Sequence, residues 1–95
     1  MKTLAIDTST TQGSISLMLD EKTIITRFST EKENYSTRLF RWLEEIKEES
    51  GIGDDFMDLD AVVVTSGPGT FTGLRVGVAT AKSISIAAEC PLLHF

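Results

Sequence analysis

The chain opens on a short apolar run, Thr3 to Asp7, that gives way to Asp7-Thr8-Ser9-Thr10. Short polar side chains of this kind bond to nearby backbone groups and favour a turn over strand continuation. From Gly13 to Leu19 the pattern alternates, with Ser14, Ser16 and Met18 on one side and Ile15, Leu17 and Leu19 on the other. A period of two predicts a half-buried strand. Asp20-Glu21 predicts a tight connection, and Lys22 to Ser29 its hairpin partner. The period then lengthens. Leu39, Leu43 and Ile46, supported by Phe40 and Trp42, recur at helical spacing from Tyr35 to Glu49, and Gly51 stands where a helix-ending glycine belongs. Asp60 to Thr65 contains Ala61-Val62-Val63-Val64, the continuous run of a strand buried on both faces. Thr72 to Ala88 is long, free of proline and rich in alanine, and it stops at Cys90-Pro91, so it predicts a second helix. Leu92-Leu93-His94-Phe95 begins another apolar strand. The order β-β-β-α-β-α-β starts antiparallel and then adds parallel strands through helical crossovers, which places the chain in the α/β class with a mixed sheet.

Composition narrows the picture. Ninety-five residues allow one domain, with an apolar share of 41% that supports a packed core. Burial is limited at this size, so a partner or a second lobe would add stability. The formal charge is -5. A chain so poor in cations is not expected to hold a nucleic-acid backbone by itself, since that needs a surplus of them to displace counterions. The acidity is local: eight acids and one base, Lys47, lie between Glu44 and Asp60, and the remaining residues carry a net charge of +2. This segment reads as a solvated helix end and loop. A single cysteine, an acid early in the N-terminal run and no stretch of membrane-spanning length predict a soluble cytoplasmic domain.

Two segments carry candidate chemistry. Asp7, Thr8 and Ser9, with Gly13-Ser14 nearby, place a carboxylate and hydroxyls at a strand end, where they can face a hydrated magnesium ion or phosphate oxygens. Ser66-Gly67-Pro68-Gly69-Thr70-Phe71-Thr72-Gly73-Leu74-Arg75 runs from a buried strand through a glycine loop into a helix N-terminus, a geometry that suits anions. Its spacing is G-x-G-x-x-x-G, and no Gly-Lys-Ser/Thr follows, so both standard phosphate-loop patterns fail. Gly67, Gly69, Thr72 and Arg75 are the candidate phosphate contacts. The alternative is a rigid turn whose Pro68 and glycines meet special backbone angles. Metal and nucleophile kits are missing: His94 has no second ligand near it and Cys90 no adjacent base, so both read as core or surface residues and no cofactor is expected.

A third feature points to association. Gly73, Gly77, Ala81 and Ser85 recur at i+4 along the second helix. Glycine inside a helix costs roughly 1 kcal/mol relative to alanine, so two of them imply a close approach of another backbone. That backbone belongs either to the chain's own sheet and first helix or to a partner. Phe40 and Trp42, beyond the Leu39/Leu43/Ile46 stripe, favour a partner helix.

Taken together, Leu4-Ala5-Ile6-Asp7-Thr8-Ser9-Thr10, the hairpin after it and Gly67-Pro68-Gly69-Thr70-Phe71-Thr72-Gly73-Leu74-Arg75-Val76-Gly77 resemble the N-terminal lobe of the TsaB (YeaZ) family. The Asp-Thr-Ser start is shared across the actin-like ATPase superfamily, whereas the glycine block is specific. The resemblance covers essentially the whole chain. It implies a ribonuclease H-like lobe with five strands in the order 3-2-1-4-5, residues 1–95 forming one lobe and the family's C-terminal lobe absent. It also implies a non-catalytic partner of TsaD, its paralogue, in threonylcarbamoyladenosine modification of tRNA, with TsaE as a third component. Docking would use the two helices, onto TsaD or onto a second copy. The metal-binding histidines of TsaD have no counterpart in Glu33-Asn34-Tyr35-Ser36, and many relatives carry a histidine near Asn34. Two functions follow: a scaffold that docks through Gly73, Gly77, Ala81, Ser85, Phe40 and Trp42, or a nucleotide-binding enzyme that uses Asp7 and the glycine loop.

Overall fold

A computed structural model describes residues 2–7, 13–20, 22–28, 35–51, 58–65 and 72–94. Five strands and two helices follow the expected order: β1 (Thr3–Asp7), β2 (Ser14–Met18), β3 (Ile24–Phe28), α1 (Tyr35–Ser50), β4 (Ala61–Val64), α2 (Thr72–Ala88) and β5 (Leu92–His94). The strands form one mixed sheet in the order β3-β2-β1-β4-β5. β1 lies at its centre, antiparallel to β2 and parallel to β4, with Leu4 opposite both Leu17 and Val62. β5 joins β4 in parallel through α2, a connection that needs a helical crossover.

The alternation read from the sequence decides which face is covered. Leu4, Ile6, Ile15, Leu17, Val62 and Val64 point one way and are almost wholly buried. Both helices lie against this face, α1 over β2 and β3, and α2 over β4, β1 and β5. α1 contributes Leu39, Trp42 and Ile46 to the core, and α2 contributes Ala81. The other face carries Ala5, Ser16, Thr26 and Leu93 along one register line, with Met18, Ile24 and Phe28 towards the β3 edge. Met18, Ile24, Phe28 and Leu93 are all exposed there.

Two expectations about the helices are corrected here. Trp42 is 3% exposed and belongs to the core, not to a partner surface. It lies three residues after Leu39 and four before Ile46, so the inward stripe of α1 is Leu39/Trp42/Ile46, with Leu43 only partly covered. Gly77, Ala81 and Ser85 are likewise buried. The small-residue row therefore lets α2 approach the chain's own sheet and α1 closely, since small side chains leave the least distance between close-packed elements. Gly73 belongs to the same row by spacing, in the first turn of α2.

Both helices end on defined caps. At the end of α1 the Gly51 N–H donates to the Lys47 carbonyl at 3.1 Å, with Gly51 at φ +72°. α2 closes with a paired arrangement: Glu89 N–H to Ile86 carbonyl at 3.2 Å and Cys90 N–H to Ser85 carbonyl at 3.1 Å. This pairing puts its left-handed residue at Glu89, φ 54°, where glycine is the usual occupant. The Ser85 hydroxyl adds a bond to the Cys90 carbonyl. Pro91 follows and prevents any extension of the helix.

The acidic segment is anchored as well as solvated. Arg27, on the helix-covered face of β3, reaches Glu45 at 3.3 Å and Glu49 at 3.0 Å on α1. Lys2 meets Asp58 through its ammonium at 3.9 Å, and its N–H donates to the Asp60 carboxylate at 2.7 Å. In the β2–β3 connection, Asp20 Oδ1 accepts the N–H groups of Lys22 and Thr23 at 2.7 and 2.8 Å. These bonds hold the Asp20 carboxyl below its ordinary pKa, the Lys22 amide being the larger cause.

Three outcomes are expected. Ala81→Leu should destabilise the fold by about 1–3 kcal/mol through overpacking, read as a lower thermal midpoint; an unchanged midpoint would mean that the row is not packed inside the chain. Glu89→Gly should stabilise by about 1 kcal/mol by removing the side-chain clash in the left-handed region, seen as a midpoint rise of roughly 4 °C. Asp20 has a lower pKa folded than unfolded, so its contribution is present above the unfolded value of about 4 and is lost as pH falls through the folded one. Asp20→Ala should therefore weaken the protein in neutral denaturant titrations, and the difference from the parent should vanish under strongly acidic conditions.

Candidate functional site

The parallel pairing of Ile6 with Val64 sets the carboxyl ends of β1 and β4 side by side. Carboxyl ends of parallel strands are where open α/β sheets receive ligands. Asp7 closes β1 here, half-buried, opposite Ser14 of β2. The Thr65 hydroxyl, one residue past β4, donates to Asp7 Oδ1 at 3.0 Å, and the Thr65 N–H donates to the Ile6 carbonyl at 3.1 Å. The sheet thus brings together a carboxylate and two hydroxyl-bearing residues from three adjacent strands. Thr8, Ser9, Gly67 and Gly69 lie outside the described residues. Thr72 starts α2, and Arg75 is exposed one turn later, next in sequence to the glycine segment it was read with.

A second feature lies on the outer side of the helices. Phe40, Leu43, Glu44 and Lys47 of α1 and Ser83, Ile84 and Ala87 of α2 line an open groove of about 340 Å³. Phe40 is 68% exposed at this groove, and Ile86 of α2, outside the groove's lining, is 75% exposed. Glu44 and Lys47 pair across one turn at 2.9 Å on the α1 side of the groove.

Of the residues expected to meet a partner whose burial is described, Phe40 is exposed, whereas Trp42, Gly77, Ala81 and Ser85 are buried. Sequence reasoning passed over Ile84, Ile86 and Ala87. Their signal was present, because Ile86 follows Ser85 directly and so projects about 100° away from the small-residue row.

The remaining candidates have bland surroundings. Cys90 is half-buried, and desolvation, with a smaller effect from the Asp60 charge, raises its thiol pKa and so disfavours the reactive thiolate. His94 is exposed on the edge strand β5. Among the described residues no three His, Cys, Asp or Glu side chains come together as metal ligands. No helix there is long and apolar enough to cross a membrane.

Comparison with known proteins accords with this geometry. The family model described as TsaD, tRNA N6-adenosine threonylcarbamoyltransferase, matches residues 25–94. The TsaB biosynthesis protein of Escherichia coli K12 is 32% identical over 93 residues, 98% of this chain and 39% of that protein. Its counterpart in Haemophilus influenzae is 35% identical over 91 residues, 95% of this chain and 37% of that one. The chain therefore spans about two fifths of the length of the relatives it matches. The solved structure of YeaZ from Pseudomonas aeruginosa superposes with a TM-score of 0.86 at 27% identity, covering 100% of this chain and 44% of that one. The sheet order, the two helices on one face and this superposition define a ribonuclease H-like lobe of the actin-like kind. With three quarters of its length inside the family match, and likenesses to TsaB and YeaZ that run over nearly all of this chain, the chain belongs to the TsaD family of tRNA threonylcarbamoyladenosine proteins, on its TsaB/YeaZ branch.

Proposed function

We propose that this chain is a non-catalytic docking lobe in the threonylcarbamoyl modification of tRNA adenosine. It would dock onto a TsaD-type transferase through the outer surfaces of α1 and α2. One observation carries the reading: Phe40 stands in water at a groove lined also by Leu43, Ile84 and Ala87, on helices whose inner faces contribute to the core. A partner helix laid there would bury these side chains at roughly 25 cal/mol for each Å² removed from water. The Glu44–Lys47 pair would set its register at the rim.

The chemistry of the chain supports a supporting role. With one histidine and one cysteine in the whole sequence, it lacks the paired ligands on which a metal-dependent transferase would rely. Its charge of -5 leaves tRNA to a better-charged partner. A nucleotide-hydrolysing function through Asp7 is the competing reading. The Thr65 hydroxyl bond to the Asp7 carboxylate weighs against it, because it ties the group to the neighbouring strand connection.

Phe40→Asp is the direct test. Association with the TsaD-type transferase of the same cell should weaken about thirtyfold, as expected when a central apolar anchor worth about 2 kcal/mol is replaced by a charge. The melting temperature should stay the same, since Phe40 contributes little to the core. Mass measurement in solution, with and without the transferase, reads the result; unchanged binding would sink the docking surface. Calorimetry with Mg-ATP should show no tight binding to the chain. Tight binding that disappears in Asp7→Ala would instead establish the nucleotide reading.

A further inference from the structure

We draw no further inference here: the strongest candidate, the bare face of the sheet with Met18, Ile24, Phe28 and Leu93 exposed, is an unpartnered apolar surface, and nothing in the structure shows what covers it.

Discussion

Everything in this fold depends on β1 having two different neighbours. It is antiparallel to β2 on one side and parallel to β4 on the other. The antiparallel side can be closed by a hairpin, whereas the parallel side forces the chain to travel over the sheet and back. That journey is what places α1 above β2 and β3 and α2 above β4. The same pairing brings Asp7 and Thr65 to one end of the sheet, within a hydrogen bond of each other. Lys2, bonded through its N–H to Asp60, fixes the start of β1 against the approach to β4. The core, the strand-end cluster and the helical surface are consequences of one strand's position.

The helices divide their duties between two sides. Inward, Leu39, Trp42 and Ile46 of α1 and the Gly77/Ala81/Ser85 row of α2 fill the space above the sheet. Outward, Phe40 and Ile86 are left exposed by the described residues. Arg27 joins the two layers by reaching from β3 to Glu45 and Glu49. Surface ion pairs contribute little energy, typically below about 1 kcal/mol. Two acids on one guanidinium nevertheless constrain how α1 lies across the hairpin, and the acidic end of that helix thereby becomes part of the architecture.

The sequence made most of this fold legible, because its signals were local. Alternation at Ile15 and Leu17 gave β2, and the Val62-Val63-Val64 run gave β4. The bounds of α2 followed from the proline-free stretch and the stop at Pro91, and the glycine cap of α1 from Gly51. What could not be read was orientation. Small residues at i+4 permit a close approach but do not name the approaching element, so Gly77, Ala81 and Ser85 fit a sheet as well as a partner. Trp42 looked supernumerary because Leu39/Leu43/Ile46 already made a stripe; its burial depends on where α1 crosses the strands, a tertiary fact. Glu89 occupies the left-handed position where glycine usually ends a helix, and Ser85, Ile86 and Cys90 supply the bonds that surround it. The strand-end cluster was legible only in part: Asp7 was found, but its partner Thr65 is 58 residues away, and only the sheet makes them neighbours.

The one-sided packing has a consequence for how much the interior can absorb. Among the described residues the core is a layer between the strands and the two helices, and on the back of the sheet Met18, Ile24, Phe28 and Leu93 are exposed while Ala61 is buried. A close-packed layer of this kind leaves a displaced side chain little room to retreat. A substitution that lengthens a core residue must therefore push on the helices, and through them change the spacing of Phe40 and Ile86 on the outside. Core fit and the shape of the outer helical surface are thus mechanically linked, which ties tolerance of mutation in the interior to the geometry of the exterior.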